Sequence, residues 1–366
     1  MNKKGLASAS LAAILSLANL AFSQNWDHAV SLFNQKQYRQ AIREFHGVLH
    51  ANPDYWQAWY YIGSCHFQLK EYENTIDAFD HYVKGAAGHP KDQSTGYYFV
   101  GFSYYELKQY DKASPALAQY VTLSQKEGQK VEATALAALG RSYIFSNKYA
   151  EAIPVLTRAA AEMRTNSDNY YYLAFAQHSL GHDELAISAL NQALAINPKD
   201  QDSLSLLTTI YLGQATKDPS AAKQAIASAE KLFAAKGDNA SAGVLGQAYL
   251  FDKQYSKAAP MLDRFAKANP TSAPAWYNLG LALSRSSQWE PASAALEQAA
   301  KLAPTNRPAF LELGYVYESN KQYDKALAAY QKAYDLSGNK DDSARSSIDR
   351  VKQRMATPPS QPPGQV

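Results

Sequence analysis

Small and apolar residues recur along the chain in pairs of amphipathic segments, each about the length of one helix. The phrase Lys-Gln-Tyr-x-x-Ala occurs at 36–41, 108–113, 253–258 and 321–326. These occurrences are separated by multiples of roughly 34 residues, with small insertions. An apolar segment carrying Gly or Ala precedes the phrase, and a second segment that often ends near Asn-Pro follows it. Because the residue before proline is pushed out of the helical region, the pattern predicts a series of helical hairpins.

The repeat resembles the tetratricopeptide repeat family, whose unit of about 34 residues favours Trp, Gly or Ala, Tyr, Ala and Pro at fixed places. The clearest unit is 273–306, where Trp276, Gly280, Ala292 and Pro304 stand in register. Small residues in both helices let the two backbones approach where they cross. The resemblance implies an all-α fold, a right-handed α-solenoid of about nine hairpins with a C-terminal capping helix.

The resemblance covers nearly the whole chain after the first twenty or so residues. Unit boundaries are predicted at 22–55, 56–89, 94–127, 133–166, 167–200, 201–236, 239–272, 273–306 and 307–340. The unit 201–236 fits least well, since Thr208 stands where Gly or Ala is usual. A polar, amphipathic helix at 341–355 is expected to cover the exposed end of the stack. Residues 356–366 contain four prolines and are expected to form a disordered tail.

The N-terminal residues 1–23 have the layout of a secretory signal peptide. Lys3 and Lys4 supply the positive charge, an apolar stretch of small residues and leucines follows, and small residues precede the expected cleavage site before Gln24. A membrane anchor is the weaker alternative, because serines interrupt an apolar stretch that is shorter than a bilayer span. We therefore expect an exported protein without a transmembrane segment after cleavage. The expected location is periplasmic, with secretion or peripheral attachment to the outer membrane as alternatives.

Composition narrows the kinds of partner. Tyrosine is abundant, with 26 residues against 13 Phe and 5 Trp. The formal net charge is +3, and two of these charges lie in the segment that is expected to be removed. Nucleic acid needs a concentrated basic face, so we expect no nucleic-acid partner. The only cysteine, Cys65, has no partner for an intrachain disulfide.

The sequence contains none of the motifs that usually carry catalysis or cofactor binding. It has no glycine-rich phosphate loop, no H-E-x-x-H helix, no paired C-x-x-C and no G-x-S-x-G turn. His46 and His50 are four residues apart on one helix face. A transition-metal site needs a third ligand, and only Glu44 lies near, so surface histidines are favoured over a metal site. A non-enzymatic protein without a cofactor is predicted, and catalysis hidden in the array is the least favoured alternative.

In the resembled family, the first helices of the units line a concave face. The residues at the corresponding places here are mainly aromatic, which suits a protein interface, although packing within the array is an equal alternative for any one ring. The Lys/Asn/Arg cluster with which some family members clamp a partner's C-terminal carboxylate is missing. The candidate partner-binding residues are Tyr60, Tyr61, Phe67, Tyr98, Phe102, Tyr105, Arg141, Tyr171, Tyr172, Phe175 and Tyr277.

Two functions fit such a face. The favoured hypothesis is an interaction scaffold or adaptor in the bacterial cell envelope that binds a peptide or protein. The alternative is a polysaccharide-binding module of an exopolysaccharide or secretion system, since aromatic rings can also stack on sugars. The sequence predicts neither the identity of the partner nor the oligomeric state.

Overall fold

The structure is a computed structural model that describes residues 25–356. The predicted signal peptide and the predicted tail, apart from Ala356, lie outside the described residues. Within residues 25–356 the chain forms 19 α-helices and no strand. The prediction of an all-α solenoid in which consecutive helices pack in pairs is confirmed.

The first of two compact bodies extends to Ile196 and contains five helical hairpins. In chain order its helices are α1 (25–34), α2 (Tyr38–Ala51), α3 (Gln57–Gln68), α4 (Tyr72–Gly85), α5 (Pro90–Glu106), α6 (Tyr110–Lys126), α7 (Ala133–Phe145), α8 (Tyr149–Glu162), α9 (Ser167–Ser179) and α10 (Asp183–Ile196). Odd-numbered helices are the first helices of their hairpins, and even-numbered helices are the second.

The second body begins at Asn197 and contains four hairpins and a final single helix. Its helices are α11 (Gln201–Ala215), α12 (Ala221–Lys236), α13 (Asn239–Phe251), α14 (Tyr255–Ala268), α15 (Ala273–Arg285), α16 (Trp289–Leu302), α17 (Arg307–Ser319), α18 (Tyr323–Leu336) and α19 (Asp342–Ala356). The poorly matching unit 201–236 forms the hairpin α11–α12. Its buried Thr208 bonds through its hydroxyl to the Ser228 hydroxyl at 2.8 Å, so a polar contact joins the two helices there.

In six of the hairpins, a glycine of the first helix lies against a large residue of the second helix. A Cβ added at Gly101 would lie 2.6 Å from Cγ of Leu117, which is fully buried. A Cβ added at Gly280 would lie 2.5 Å from Cγ of Leu296. Only glycine therefore fits at these crossings without moving a neighbour.

The turn inside most hairpins contains a residue in the left-handed conformation. In five hairpins this residue is lysine: Lys36, Lys70, Lys108, Lys253 and Lys321, with φ between 57° and 61°. The turn has the form of a helix C-cap, because its backbone N–H groups donate hydrogen bonds to the last carbonyl groups of the first helix. The second helix then starts two residues later, at an aromatic residue in seven of the hairpins.

The first helices of the later hairpins begin at short polar residues that act as N-caps. Asp238 accepts a hydrogen bond from the Ser241 amide at 2.8 Å, and Asp200 accepts one from the Ser203 amide at 3.2 Å. Ser272 and Asn306 occupy the same place before α15 and α17. These caps satisfy amide donors that the helix cannot pair internally, which fixes where each hairpin starts.

The last helix, α19, packs on the final hairpin as the predicted capping helix. Ile348 and Val351 are buried on one side of α19. The buried Glu318 carboxylate of α17 accepts hydrogen bonds from Arg350 Nε and Nη2, both at 2.8 Å, and from the Tyr330 hydroxyl at 3.0 Å. These donors, with Arg350 first, hold the pKa of Glu318 below its ordinary value. A charged anchor therefore supplements the apolar contacts of α19.

Candidate partner-binding site

The first helices of the first body form the inner layer of its curve. α3 lies close to α5, α5 lies close to α7, and α7 lies close to α9. Among the helices that the structure describes there, consecutive second helices do not approach one another in this way. A layer whose members are closer together than those of the other layer lies on the inner side of a bend. Ten of the eleven predicted binding residues lie on these four helices, and each of the ten is half-buried.

The rings at the N-terminal end of this layer serve the packing of the hairpins. Tyr61 stacks on the fully buried Phe45, with ring centroids 4.8 Å apart and planes at 18°. Its other side meets the edge of Trp26 at 5.3 Å. Tyr60 contacts the buried Phe79 at 6.0 Å between centroids. Burial is also the main reason that the pKa of Tyr61 is raised. Tyr61 is therefore enclosed by α1, α2 and α3 and offers little surface to a partner.

Phe67 and the rings of α5 are also occupied by contacts within the fold. Phe67 meets Phe99 edge-on at 5.1 Å between centroids. Tyr98, Phe102 and Tyr105 pack against a buried cluster that includes Leu117 of α6 and three alanines of α7. Burial raises the pKa of the Tyr98 hydroxyl. These rings stabilise the hairpin and present only part of their surface.

The most exposed aromatic surface of the layer is centred on Phe145, the last residue of α7. Its side chain is 48% exposed. One face of the ring stacks on Tyr110, with centroids 4.5 Å apart and planes at 26°. Tyr172 of the next hairpin meets Phe145 edge-on at 6.0 Å. Tyr110 in turn contacts Tyr105 at 5.8 Å. We call Tyr105, Tyr110, Phe145 and Tyr172 the ring ladder, and it joins three consecutive hairpins.

The ring ladder continues through the other predicted residues of α9. Tyr171 lies 5.2 Å from Tyr172 and 6.4 Å from Phe175, measured between ring centroids. Phe175 meets Tyr149, the first residue of α8, at 6.1 Å. The predicted residues Tyr171, Tyr172 and Phe175 are thus brought together on one surface.

Arg141 is the one charged residue among the predicted site residues, and it lies beside the ring ladder. Its guanidinium carbon lies 4.9 Å from the centroid of the Tyr172 ring, which is a cation–π distance. Its Nη2 donates to Asp168 Oδ2 at 3.2 Å. The Arg141 side chain is 20% exposed, whereas that of Asp168 is 61% exposed. A positive group is therefore held against an aromatic surface at a fixed place.

Tyr277 lies on α15 of the second body and does not belong to the ring ladder. Burial raises the pKa of its hydroxyl, and the nearby Glu312 adds to the effect. Glu312 accepts two hydrogen bonds from Arg285, at 2.6 and 3.0 Å. The Arg285 guanidinium also lies 5.4 Å from the exposed ring of Tyr315.

Two residues of the ring ladder, Tyr110 and Phe145, are not among the candidate residues that the sequence predicted. Tyr110 belongs to a second helix, and the sequence pattern gave only first helices a place on the concave face. Phe145 follows that pattern, but nothing in the sequence shows that its ring is more exposed than the rings of α5. Tyr110 of one hairpin meets Phe145 of the next only in the folded array, so the sequence alone does not predict this contact.

The surroundings of the two α2 histidines and of the cysteine bear on the expectation of no metal site. His46 and His50 lie on α2, and the His46 ring meets Trp59 edge-on at 5.9 Å. Between residues 25 and 356, no three His, Cys, Asp or Glu side chains are grouped as metal ligands would be. Cys65 is fully buried, and burial raises the pKa of its thiol to about 12. It is therefore a packing residue rather than a nucleophile.

Comparison with protein families gives matches along most of the described array. A model described as tetratricopeptide repeat matches residues 27–90 and 282–341, and a second model of the same description matches 143–210. A model described as anaphase-promoting complex, cyclosome, subunit 3 matches residues 218–299. No curated protein sequence matches the chain at a significant level.

Comparison with solved structures finds other tetratricopeptide repeat proteins. The structure of YrrB, described as a TPR protein with an unusual peptide-binding site, matches with a TM-score of 0.48 at 20% identity, covering 54% of this chain and 97% of that one. A tetratricopeptide repeat protein from Parabacteroides merdae ATCC 43184 matches with a TM-score of 0.45 at 14% identity, covering 71% and 98%. MamA protein matches with a TM-score of 0.43 at 23% identity, covering 48% and 93%. Within residues 25–356, no helix combines the length and apolar character needed to cross a bilayer.

Proposed function

The chain belongs to the tetratricopeptide repeat family, and on that premise we propose that it is a non-catalytic adaptor of the bacterial cell envelope. It binds an extended segment of a peptide or protein partner on the inner layer of its first body. The observation that carries this proposal is the exposure of Phe145 at the centre of the ring ladder. An aromatic ring exposed by almost half, between two further rings, is the kind of surface that binding residues form in protein interfaces.

The location in the envelope rests on residues 1–23, whose positive start, apolar stretch and small residues have the layout of a secretory signal. Sequencing the N-terminus of the protein recovered from a bacterial periplasmic fraction tests this part. The expected first residue is Gln24. A protein that keeps Met1 and stays in the cytoplasm would overturn the location without touching the binding proposal.

The binding surface can be tested by placing a photo-crosslinking amino acid at position 145 and exposing the envelope fraction to light. Leu185 of α10 offers a matched control, because it is 56% exposed but lies on a second helix. The expected result is a discrete crosslinked protein from position 145 and none from position 185. Equal products from both positions would contradict the proposal.

Polysaccharide binding is the competing function for the same surface, and it can be tested directly. Titration of the purified protein with a panel of bacterial oligosaccharides, followed by intrinsic fluorescence, gives the comparison. The peptide-adaptor proposal predicts no saturable change. A saturable response that Phe145→Ala abolishes would replace the peptide partner by a polysaccharide.

A further inference from the structure

We propose that Arg141 is the specificity-determining residue of the ring ladder and binds an acidic side chain, Asp or Glu, within an extended peptide whose neighbouring residues are aromatic or aliphatic. This inference rests on the proposed function, since it names the chemistry of the partner at that same surface. It goes beyond that function by assigning the residue that chooses among peptides.

Positively charged side chains are rare on the inner layer of the first body. Among the residues of α3, α5, α7 and α9, the only lysine and arginine are Lys91 and Arg141. Lys91 lies in the first turn of α5, whereas Arg141 lies in the middle of α7 and contacts Tyr172 of the ring ladder. One fixed positive group beside an apolar surface fixes the position at which a negative group of the partner can sit.

The Arg141 guanidinium has N–H donors left for a partner. Arginine carries five N–H donors. Within the described residues, Arg141 makes one hydrogen bond, from Nη2 to a single oxygen of Asp168. Its Nε is buried without a hydrogen-bond partner there, so the guanidinium approaches solvent with its Nη1 and Nη2 end. A carboxylate can accept two hydrogen bonds from that end, the arrangement that makes Arg–carboxylate pairs strong and directional.

Asp168 already pairs with Arg141 within the fold. Its side chain is mostly exposed, and the pair has one contact at 3.2 Å. Ion pairs of this kind contribute little because water screens them. Asp168 also lies in the first turn of α9, where its carboxylate is favourable without Arg141. Asp168 is therefore a weak partner of the guanidinium in the free protein, and the acid of a bound peptide can replace it beside the less hydrated rings.

The surroundings of Arg141 suit the carboxylate of an internal acidic side chain better than that of a free C-terminus. A C-terminal carboxylate needs several basic and amide donors around it, and the other first-helix side chains beside Arg141 are mainly aromatic. A side-chain carboxylate needs only one bidentate donor, with apolar surface on both sides for its neighbours. The ring ladder and Arg141 supply that combination.

A displayed library of random nonapeptides, fused at their C-termini so that no free carboxylate is present, tests the inference on the full chain. Selection is carried out on the wild type, on Arg141→Gln and on Arg158→Gln. Arg158 is the matched control, because it forms a surface ion pair with Glu162 on α8, a second helix. We expect peptides selected on the wild type and on Arg158→Gln to carry an acid flanked by aromatic or aliphatic residues. Peptides selected on Arg141→Gln should keep the apolar residues and lose the acid.

Affinities of one selected peptide then give the size and sign of the effect. Arg141→Gln should weaken its binding about tenfold or more, and Arg141→Lys should not restore it fully, because lysine lacks the planar fork. Asp168→Asn should tighten binding by about two- to fivefold, since the competing carboxylate is gone. A merely structural role of the Arg141–Asp168 pair predicts the opposite sign for Asp168→Asn.

Two failures are distinguishable. If peptides bind and depend on Phe145 but carry acids equally often on the wild type and on Arg141→Gln, the inference is wrong and the proposed function stands. If no peptide is enriched on the wild type over Phe145→Ala, the peptide-binding function itself is wrong, and the inference falls with it.

Discussion

The close approach of the two helices in each hairpin makes a sharp prediction for Gly101→Ala. The added methyl group would lie 2.6 and 2.8 Å from Cγ and Cδ2 of Leu117 and 3.0 Å from the Leu117 backbone nitrogen. Leu117 is fully buried, so its side chain has no free space to move into. The backbone contact means that α5 and α6 themselves must separate to admit the methyl group.

The expected magnitude follows from two opposing terms. Overpacking a filled core costs about 1–3 kcal/mol of unfolding free energy. Replacing glycine by alanine within a helix returns about 1 kcal/mol, because alanine loses less backbone freedom on folding. Since backbone as well as side chain must shift, the first term lies at its upper end, and Gly101→Ala should destabilise the protein by about 1–2 kcal/mol.

Gly47 provides the control for the helix-propensity term. It lies within α2, is exposed, and a Cβ added there would have no other heavy atom within 4 Å. Gly47→Ala should therefore stabilise the protein by about 0.5–1 kcal/mol. Urea unfolding followed by far-ultraviolet circular dichroism compares the two variants with the wild type. If Gly101→Ala unfolds at the wild-type urea concentration or above it, while Gly47→Ala behaves as expected, the tight helix crossing is refuted.

Three further predictions concern the turns, the capping helix and the ring ladder. Lys108 is left-handed with φ 57°, whereas the same place in the α9–α10 turn holds Gly181 with φ 79°. Lys108→Gly should raise the unfolding free energy by about 0.5–1 kcal/mol and Gly181→Lys should lower it by at least as much, as urea titration would show. The pKa of Glu318 is held below its ordinary 4.5 by the hydrogen bonds to its carboxylate. The stability that this carboxylate contributes is therefore complete above about pH 4.5 and is lost as the pH falls through the lower folded value. The melting-temperature difference between wild type and Glu318→Gln should accordingly shrink in acid and stay constant toward neutral pH. Phe145→Ala should cost less than about 1 kcal/mol, against about 3–5 kcal/mol for the buried Phe79→Ala; equal losses would place Phe145 in the core.

The hairpins and their contacts could be predicted from sequence because the signal repeats. Gly or Ala in the first helix and Leu, Phe or Tyr in the second recur at the same places, and the structure brings such pairs together at Gly101–Leu117 and Gly280–Leu296. Because the pattern recurs in many units, a single poorly matching unit can still be assigned, as the hairpin at 201–236 shows. The left-handed lysines could not be predicted in the same way, since lysine does not signal that conformation. Only the fixed geometry of the turn imposes it.

The sequence could not predict which aromatic rings are buried in the core and which are exposed on the surface, because both kinds occupy the same positions of the amphipathic pattern. Tyr61 and Tyr172 occupy the same place in their repeat units. Tyr61 stacks on the buried Phe45, whereas Tyr172 lies beside the exposed Phe145. What differs is the residue that each ring meets on the neighbouring helix. The partner residues lie 16 positions away in the chain for Tyr61 and 27 positions away for Tyr172, and they meet these rings only once the hairpins have stacked.

The placement of the ring ladder has a consequence for the mechanics of the first body. In a repeat array each unit contacts mainly its neighbours, so stability is close to a sum of local terms and a weak unit can open without the rest. A peptide laid along Tyr105, Phe145 and Phe175 would contact α5, α7 and α9 together and so link the α5–α6 hairpin to the α9–α10 hairpin, which are not packed on one another. Ligand binding to the folded state alone stabilises it by mass action. The three hairpins should then open as one unit rather than separately. The aromatic rings of this layer thus have two roles. The enclosed rings stabilise each hairpin, and the exposed rings allow one bound partner to stabilise several hairpins together.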